Sequence, residues 1–156
     1  PAVNEEQFYL ASQGPDWVIQ RYVLREYETI LAGPSLRDWI DPVSPAEMRR
    51  AVRELLQDWW ASILDEPARL AEPEYQPYAV LSMCRARYLL EHGRVVSKVA
   101  AVRWAVDALD PRWRDLIREA AAWKRGDIEG VLDKDHQENL APTLAFITET
   151  IEHSNP

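Results

Sequence analysis

Start and stop signals for helices recur along this chain at roughly helix-length intervals, and they constrain its fold more than any other feature. Proline is favoured in the first turn of a helix, and glycine is favoured just after the last turn. The segment Ser44-Pro45-Ala46-Glu47 combines a capping box with a proline at the first helical position. Strand signals are weak, since the chain has only five glycines to form tight turns between strands and few runs of β-branched residues. The chain is therefore predicted to be all-α.

The spacing of apolar residues between these signals predicts six helices. Their predicted ranges are 15–32, 45–64, 77–92, 97–109, 110–126 and 140–152, with a loop over 65–77 and a short turn over 127–132. Because most connections are short, neighbouring helices are expected to pack antiparallel. Residues 1–156 contain no low-complexity linker and are expected to form one domain, an antiparallel bundle of about five to six helices.

Composition and charge exclude several classes of protein. The chain has a net charge of −8, which disfavours a nonspecific nucleic-acid binder, since such proteins neutralise phosphates with Lys and Arg. The same charge attracts cationic ligands, although solubility is the simpler explanation of an acidic surface. Neither a membrane span nor a signal peptide is visible, and the single cysteine, Cys84, fits a reducing compartment. A cytoplasmic protein with no nucleic-acid or membrane partner is expected. The first residue is not methionine, which is consistent with a processed or truncated chain.

Seven tryptophans are unusual for a chain of 156 residues, and most are expected in the core. Trp59 falls on the apolar side of the second predicted helix, together with Met48, Val52 and Ile63. Trp59 and Trp60 cannot both face one core, because adjacent helical positions lie about 100° apart. One of the two is therefore expected to face a cleft, a partner or water.

Two cations, Arg85 and Lys98, occupy unusual positions. Arg85 lies within an apolar helical run, where its charge loses hydration unless it is paired or reaches outward. Lys98 follows Ser97 at a predicted helix N-terminus, which is already partly positive. One interpretation is an ion pair between Arg85 and Glu26, Glu91 or another carboxylate at the edge of the core. The other is a phosphate site formed by Arg85 and Lys98, and the residues alone do not decide between them.

Other chemical motifs are missing or weak. No glycine-rich phosphate loop occurs, and the three histidines, His92, His136 and His153, lack the spacing of zinc ligands. Cys84 is expected to be a buried, inert thiol. Asp133-Lys134-Asp135 has the letters of a metal-binding pair, yet it lies in a polar stretch and is interpreted as a solvated turn. The acidic segment 64–74 either binds a cation or is a charged surface loop, and the second interpretation is simpler.

The order and spacing of many residues resemble the C-terminal helical domain of aminoglycoside adenylyltransferases of the streptomycin/spectinomycin type. The matching residues in the central segment are Leu81, Ser82, Arg85, Tyr88, Gly93, Lys98, Ala101, Trp104 and Ala105. An upstream segment is similar to the family through Arg25, Glu26, Leu31, Gly33, Pro34, Asp41, Pro42 and Val43. The resemblance covers residues 16–153, nearly the whole chain.

This resemblance implies that Arg85 and Lys98 contact the phosphates of ATP. A family tyrosine falls near Lys124, adjacent to Trp123, so these two residues are predicted nucleotide contacts. In the family, acidic residues just before the third helix contact the aminoglycoside and determine which one is bound. Glu72 and Glu74 are near that place but out of register, and they are predicted to contact a cationic substrate.

In that family, a nucleotidyltransferase domain precedes the helical domain and carries a Gly-Ser motif and an Asp-X-Asp pair for magnesium. The Gly-Ser motif is absent from residues 1–156, and the letters Asp-X-Asp occur only at 133–135, the segment interpreted as a solvated turn, so no catalytic residue and no metal ligand is assigned to this chain. ATP and magnesium are then cofactors of the parent family, and the expected partners are that domain, in cis or in trans, and an aminoglycoside-like cation.

Three hypotheses follow. The chain is the substrate- and nucleotide-binding half of an adenylyltransferase, whose activity without the other half is uncertain. Alternatively, it is a non-catalytic ligand- or protein-binding module of the same descent, or a structural bundle in which Arg85 is paired internally. A detached half should expose its cleft face, with Trp59 or Trp60 and the acidic segment as candidates, and self-association through that face is expected.

Overall fold

The computed structural model of the protein describes residues 2–4, 7–9, 14–72, 74–125 and 140–155. In chain order its helices are α1 (Pro15–Glu26), α2 (Pro45–Leu55), α3 (Ala61–Asp65), α4 (Tyr75–His92), α5 (Lys98–Ala108), α6 (Arg114–Arg125) and α7 (Leu140–Ser154). Three short 3-10 helices cover Leu36–Asp38, Pro67–Ala71 and Pro111–Trp113. Two three-residue antiparallel strands, β1 (Ala2–Asn4) and β2 (Gln7–Tyr9), precede the helices. The all-α prediction is confirmed, and this small strand pair is an addition that the sequence did not predict.

Helix α4 lies at the centre of the bundle and packs against α2, α5, α6 and α7. Nine of its 18 residues are buried, including Val80, Met83, Cys84 and Leu89. A helix that is apolar over most of its circumference is stable only when neighbours surround it. The residues of the predicted phosphate site therefore lie on, or next to, the most buried helix of the fold.

Most predicted helix boundaries are confirmed by their caps. The Ser44 hydroxyl accepts from the Glu47 amide while the Glu47 carboxylate accepts from the Ser44 amide, which completes the predicted capping box. The Ser97 hydroxyl accepts from the Ala100 amide at the start of α5. Gly93 ends α4 with φ of +67°, a left-handed conformation that glycine adopts without a Cβ penalty.

The first helix is shorter than predicted. It ends at Glu26 rather than near residue 32, and the chain then folds back on the helix end. The Arg25 guanidinium donates to the carbonyl oxygens of Arg37 and Ile40, each across 2.6 Å, while the Glu28 carboxylate accepts from Ser35. These side-chain bonds stabilise a non-helical backbone after Glu26, so the helix does not continue. The periodic pattern of apolar residues, from which the helix was predicted, carries no information about such bonds.

The predicted loop over 65–77 is also shorter than expected. The 3-10 helix Pro67–Ala71 occupies part of it, and α4 begins at Tyr75 rather than at Pro77. A proline in the first turn of a helix is tolerated because its missing N–H would have no partner within the helix.

A π turn, Leu56–Trp60, joins α2 directly to α3, so residues 45–65 form one continuous helix. The turn changes which tryptophan faces the core: Trp60 is buried at 7% exposure, whereas Trp59 is 39% exposed. The placement of Trp59 on the apolar side was therefore wrong, because a π turn takes up an extra residue and moves the core-facing position along by one. The expectation that one of the two tryptophans faces outward is confirmed.

Arginines from neighbouring helices bind the free carbonyl groups at helix C-termini. Arg49 in α2 donates to the carbonyl oxygens of Leu90 (2.8 Å) and Glu91 (3.0 Å) at the end of α4. Arg53, one turn later, donates to the carbonyl of Ser154 at the end of α7 across 2.9 Å. Such charge-assisted bonds satisfy carbonyls that have no partner within their own helix.

None of the described helices is both long and apolar enough to cross a membrane.

Candidate functional site

A pocket of about 350 Å³ lies where the start of α4, the start of α5 and the end of α6 meet. Four of the sequence-predicted site residues line it: Glu72, Glu74, Lys98 and Trp123. Tyr75, Tyr78 and Leu81 complete its wall. We call this pocket the Lys98 pocket. The structure thus brings together residues that are far apart in the sequence, from Glu72 before α4 to Trp123 near the end of α6.

Local sequence places Lys98 at this pocket. Ser97 caps α5, so Lys98 is the first helical residue, and its side chain is half-buried. The ammonium group lies 5.0 Å from the centre of the Tyr78 ring, which is a cation–π contact. Glu72 and Glu74, by contrast, are exposed residues. The pocket therefore combines a positive group on its α5 side with two carboxylates on the α4 side.

Arg85 lines a second pocket, of about 170 Å³, on the neighbouring face of α4. We call it the Arg85 pocket. Its walls are mostly apolar and come from α1, α2, the π turn and the segment after α4, with Ile19, Val52, Trp60 and Val95 among them. Arg85 is partly buried there, and it is the charged residue of the pocket lining.

The two carboxylates proposed as internal partners of Arg85 have other partners. Glu26 lies 3.5 Å from Arg25 and 3.7 Å from Arg37, and Glu91 lies 3.8 Å from His92. Within the ranges that the structure describes, no hydrogen bond or ion pair involves the Arg85 guanidinium. The internal ion pair is therefore not found among these residues.

Tyr78 forms the wall shared by the two pockets, since it lines both. Its ring lies 6.1 Å from the Trp60 ring at an interplanar angle of 26°, and 5.5 Å from the Tyr75 ring. The Trp60 ring in turn contacts the Trp59 ring at 4.8 Å. Four aromatic side chains thus form a continuous row across one face of the bundle.

The acidic segment does not form one cluster of carboxylates. Leu70 is fully buried and anchors the 3-10 helix, so Asp65 and Glu66 line a separate hollow beside Trp59 and Arg69. Within the described ranges, no group of three or more His, Cys, Asp or Glu side chains is arranged to hold a metal ion. The donor groups at the two pockets therefore do not fit a magnesium site, whereas Arg85 and Lys98 fit an anionic phosphate.

Several other predicted residues have structural surroundings or fall outside the described ranges. Cys84 is fully buried, and burial raises the pKa of its thiol to about 12, so it remains protonated and unreactive at neutral pH. His92 is the last residue of α4 and packs against the Tyr88 and Trp104 rings. Residues 127–136 and the side chain of Lys124 lie outside the described part of the chain.

Sequence reasoning missed the roles of Tyr78 and Tyr75 in the pocket walls. These residues lie three positions apart, a spacing that places both on one side of a helix start. Burial raises the pKa of Tyr75, in keeping with its partly enclosed position. Two tyrosines three positions apart, immediately after Glu72 and Glu74, were the signal available in the sequence.

The arrangement can bind an anion and a cation at the same time. Arg85 and Lys98 present positive groups to two adjoining pockets, and Glu72 and Glu74 present negative groups to one of them. Lys98 and Arg85 can bind phosphate oxygens, and the carboxylates can bind amino or guanidino groups. The described residues offer binding and positioning groups rather than a nucleophile.

Comparisons with known proteins match this chain to aminoglycoside adenylyltransferases. The family model "Aminoglycoside adenylyltransferase, C-terminal domain" matches residues 38–149. A protein of Rhizobium radiobacter called aminoglycoside (3'') (9) adenylyltransferase is 27% identical over 121 residues, which cover 74% of this chain and 41% of that protein. Proteins of the same name from Klebsiella pneumoniae and Escherichia coli are each 29% identical over 96 residues, covering 62% of this chain and 34% of the relative.

The chain thus spans less than half the length of the curated relatives that it matches. The family match includes both pockets' α4 and α5 residues, Arg85 and Lys98 among them. The chain belongs to the family of aminoglycoside adenylyltransferase C-terminal domains.

Proposed function

We propose that this chain is the helical half of an aminoglycoside adenylyltransferase-like protein, in which Arg85 and Lys98 bind the phosphates of ATP. The observation that carries the proposal is the position of Arg85, whose guanidinium pairs with no carboxylate in the described ranges and lines a pocket sharing a wall with the Lys98 pocket. A partly buried guanidinium gains most from an anionic ligand when no internal carboxylate neutralises it.

The proposal assigns different tasks to the residues of the site. Arg85 and Lys98 neutralise and orient the phosphate chain, which helps phosphoryl-type transfer through positioning and charge stabilisation. Glu72 and Glu74 bind the amino or guanidino groups of the aminoglycoside. Trp123, which lines the Lys98 pocket, contacts the nucleotide, and Lys124 follows it on α6.

The magnesium ligands and catalytic carboxylate are then supplied by a nucleotidyltransferase domain, in cis or in trans. A surface for that domain is available around the turn after α1. Six large apolar side chains there are at least 40% exposed: Leu24, Tyr27, Ile30, Leu31, Leu36 and Trp39. The polar groups of this turn bond to each other, as in the bonds of Arg25 to Arg37 and of Glu28 to Ser35, so its apolar groups are the ones left for a partner. We propose that the nucleotidyltransferase domain binds this surface, together with the face that carries Trp59 and the acidic segment.

Titration calorimetry with ATP tests the phosphate contacts. Arg85→Gln and Lys98→Met should each weaken ATP binding by about tenfold or more, because each removes a charge-assisted contact. Arg118→Gln, on the exposed face of α6 beside Asp115, is the matched control and should leave affinity unchanged. Equal ATP affinity in all four proteins would contradict the proposal.

Titration with streptomycin tests the acidic side of the site. The double variant Glu72→Gln/Glu74→Gln should bind streptomycin more weakly, and the difference should shrink as salt is added, since both carboxylates are exposed. Glu54→Gln, an exposed carboxylate on α2, is the control. Streptomycin binding without ATP binding would favour the alternative function, a non-catalytic ligand-binding module of the same descent.

A further inference from the structure

The aromatic ring of Tyr78 contacts the ammonium group of Lys98, and the position of the ring is fixed from both sides. The Trp60 ring lies nearly parallel to it at 6.1 Å, and the Tyr75 ring lies 5.5 Å away. The backbone carbonyl of Tyr78 also accepts a hydrogen bond from the Ser82 hydroxyl across 2.7 Å. Tyr78 is nevertheless 42% exposed, because its ring stands between the two pockets rather than in the core.

The place of Lys98 in α5 explains what this contact contributes. Lys98 is the first residue of α5, where the free amide groups of the helix carry a partial positive charge that repels a cation. The face of an aromatic ring carries the opposite partial charge. With the ammonium 5.0 Å from the ring centre, Tyr78 compensates this repulsion and holds the lysine at the wall between the two pockets.

We propose that Tyr78 is a positioning residue: it holds the Lys98 ammonium at the wall where the Lys98 pocket adjoins the Arg85 pocket, and phosphate affinity depends on an aromatic ring at position 78 that acts through Lys98. The inference rests on the proposed phosphate site, and it adds to that site the residue that organises it. Because the ring, and not the hydroxyl, contacts the ammonium, phenylalanine should replace tyrosine, and leucine should not.

The free protein gives the first test, which needs no ligand. In NMR spectra of the full chain, the ε-methylene protons of Lys98 should be shifted upfield by the ring current of Tyr78. The upfield shift should persist in Tyr78→Phe and disappear in Tyr78→Leu. An unshifted Lys98 methylene in the wild-type protein would overturn the inference, whatever the outcome with phosphate.

Titration with inorganic tripolyphosphate gives the second test. Tyr78→Leu should weaken binding by about two- to fivefold, the range expected for one exposed cation–π contact, and Tyr78→Phe should bind as the wild type does. In the Lys98→Met background, Tyr78→Leu should have no further effect, because the two side chains act as one unit. Additive losses in the double variant would overturn the inference.

Trp17→Leu is the control, since Trp17 is a partly exposed aromatic residue on α1 that lines neither pocket. A loss in Trp17→Leu equal to that in Tyr78→Leu would show that the contact with Lys98 is not the cause of the loss. Failure of the wild type to bind tripolyphosphate would contradict the phosphate site itself, and the methylene shift would then decide about Tyr78 alone. Far-UV circular dichroism of each variant checks that it remains folded.

Discussion

The side-chain amide of Gln76 donates a hydrogen bond to the carbonyl oxygen of Leu70 across 2.8 Å inside the protein. Gln76 is 5% exposed in the first turn of α4, and Leu70 is fully buried in the 3-10 helix before it. This bond ties the acidic segment to the helix that carries Arg85. Glu72 and Glu74 therefore project from a segment whose two ends are fixed, which lowers the entropic cost of presenting both carboxylates to a ligand.

Replacing Gln76 by leucine should lower the free energy of unfolding by about 1–3 kcal/mol. The substitution keeps most of the side-chain volume but leaves the Leu70 carbonyl without that buried donor. Urea denaturation measures the change. Gln57→Leu is the control, because Gln57 bonds to Asn155 at the exposed surface and its loss should change stability by less than about 0.5 kcal/mol. Equal losses in the two variants would contradict the role of the buried bond.

Adjacent arginines on α2 should differ sharply in their contribution to stability. Arg49→Gln removes two bonds to the carbonyls of Leu90 and Glu91 and should cost about 1.5–3 kcal/mol, as expected for charged donors. Arg50→Gln removes an exposed ion pair with Glu54 at 3.9 Å and should cost under about 1 kcal/mol. Thermal or urea unfolding of the two variants checks this, and a larger loss for Arg50 would refute it.

The two described glycines with positive φ should respond differently to alanine. Gly33→Ala introduces a Cβ with no atom within 4 Å, so its cost should be the conformational one, about 1–2 kcal/mol. A Cβ at position 93 would also lie 2.6 Å from the Cβ of Pro45, where α2 begins next to the end of α4. Gly93→Ala should therefore be the more destabilising change in urea unfolding. The reverse order would argue against the tight contact at Gly93.

The capping box predicts a pH dependence of stability. Hydrogen bonds from the Ser44 amide and then from its hydroxyl hold the pKa of Glu47 below its ordinary value of 4.5. Since the folded pKa is lowered, the contribution of Glu47 is complete above pH 4.5 and is lost as the pH falls through the folded pKa. The urea midpoints of the wild type and Glu47→Gln should differ at neutral pH and converge in acid. A difference that is constant with pH would contradict the ionised cap.

Local signals in the sequence predicted the fold well where one short segment determines the outcome. The capping box at Ser44, the Ser97 cap and the glycine at position 93 defined the start of α2, the start of α5 and the end of α4, because each cap is formed by residues a few positions apart. The end of α1 was mispredicted because it depends on Arg25 reaching Ile40, 15 residues away. The exchange of Trp59 for Trp60 depends on the π turn, and period-based patterns assume a regular helix.

The candidate site could be predicted in part. Family resemblance identified Arg85 and Lys98, and the structure places them in adjoining pockets. The sequence did not predict that Tyr78 separates these pockets, since this depends on how α4 packs against α5 and the π turn. From the sequence, the acidic segment was treated as one unit. In the structure Leu70 is buried within it, so Asp65 and Glu66 line one hollow and Glu72 and Glu74 line the Lys98 pocket.

A map of amide chemical shifts during titration of the full chain with ATP tests the central claim most directly. The account predicts that the largest changes cluster at Ser82, Arg85, Ser97 and Lys98, the residues on α4 and at the start of α5 that border the two pockets. These changes should be much smaller in the double variant Arg85→Gln/Lys98→Met. Changes that cluster elsewhere, or that persist in the double variant, would contradict a phosphate site formed by Arg85 and Lys98.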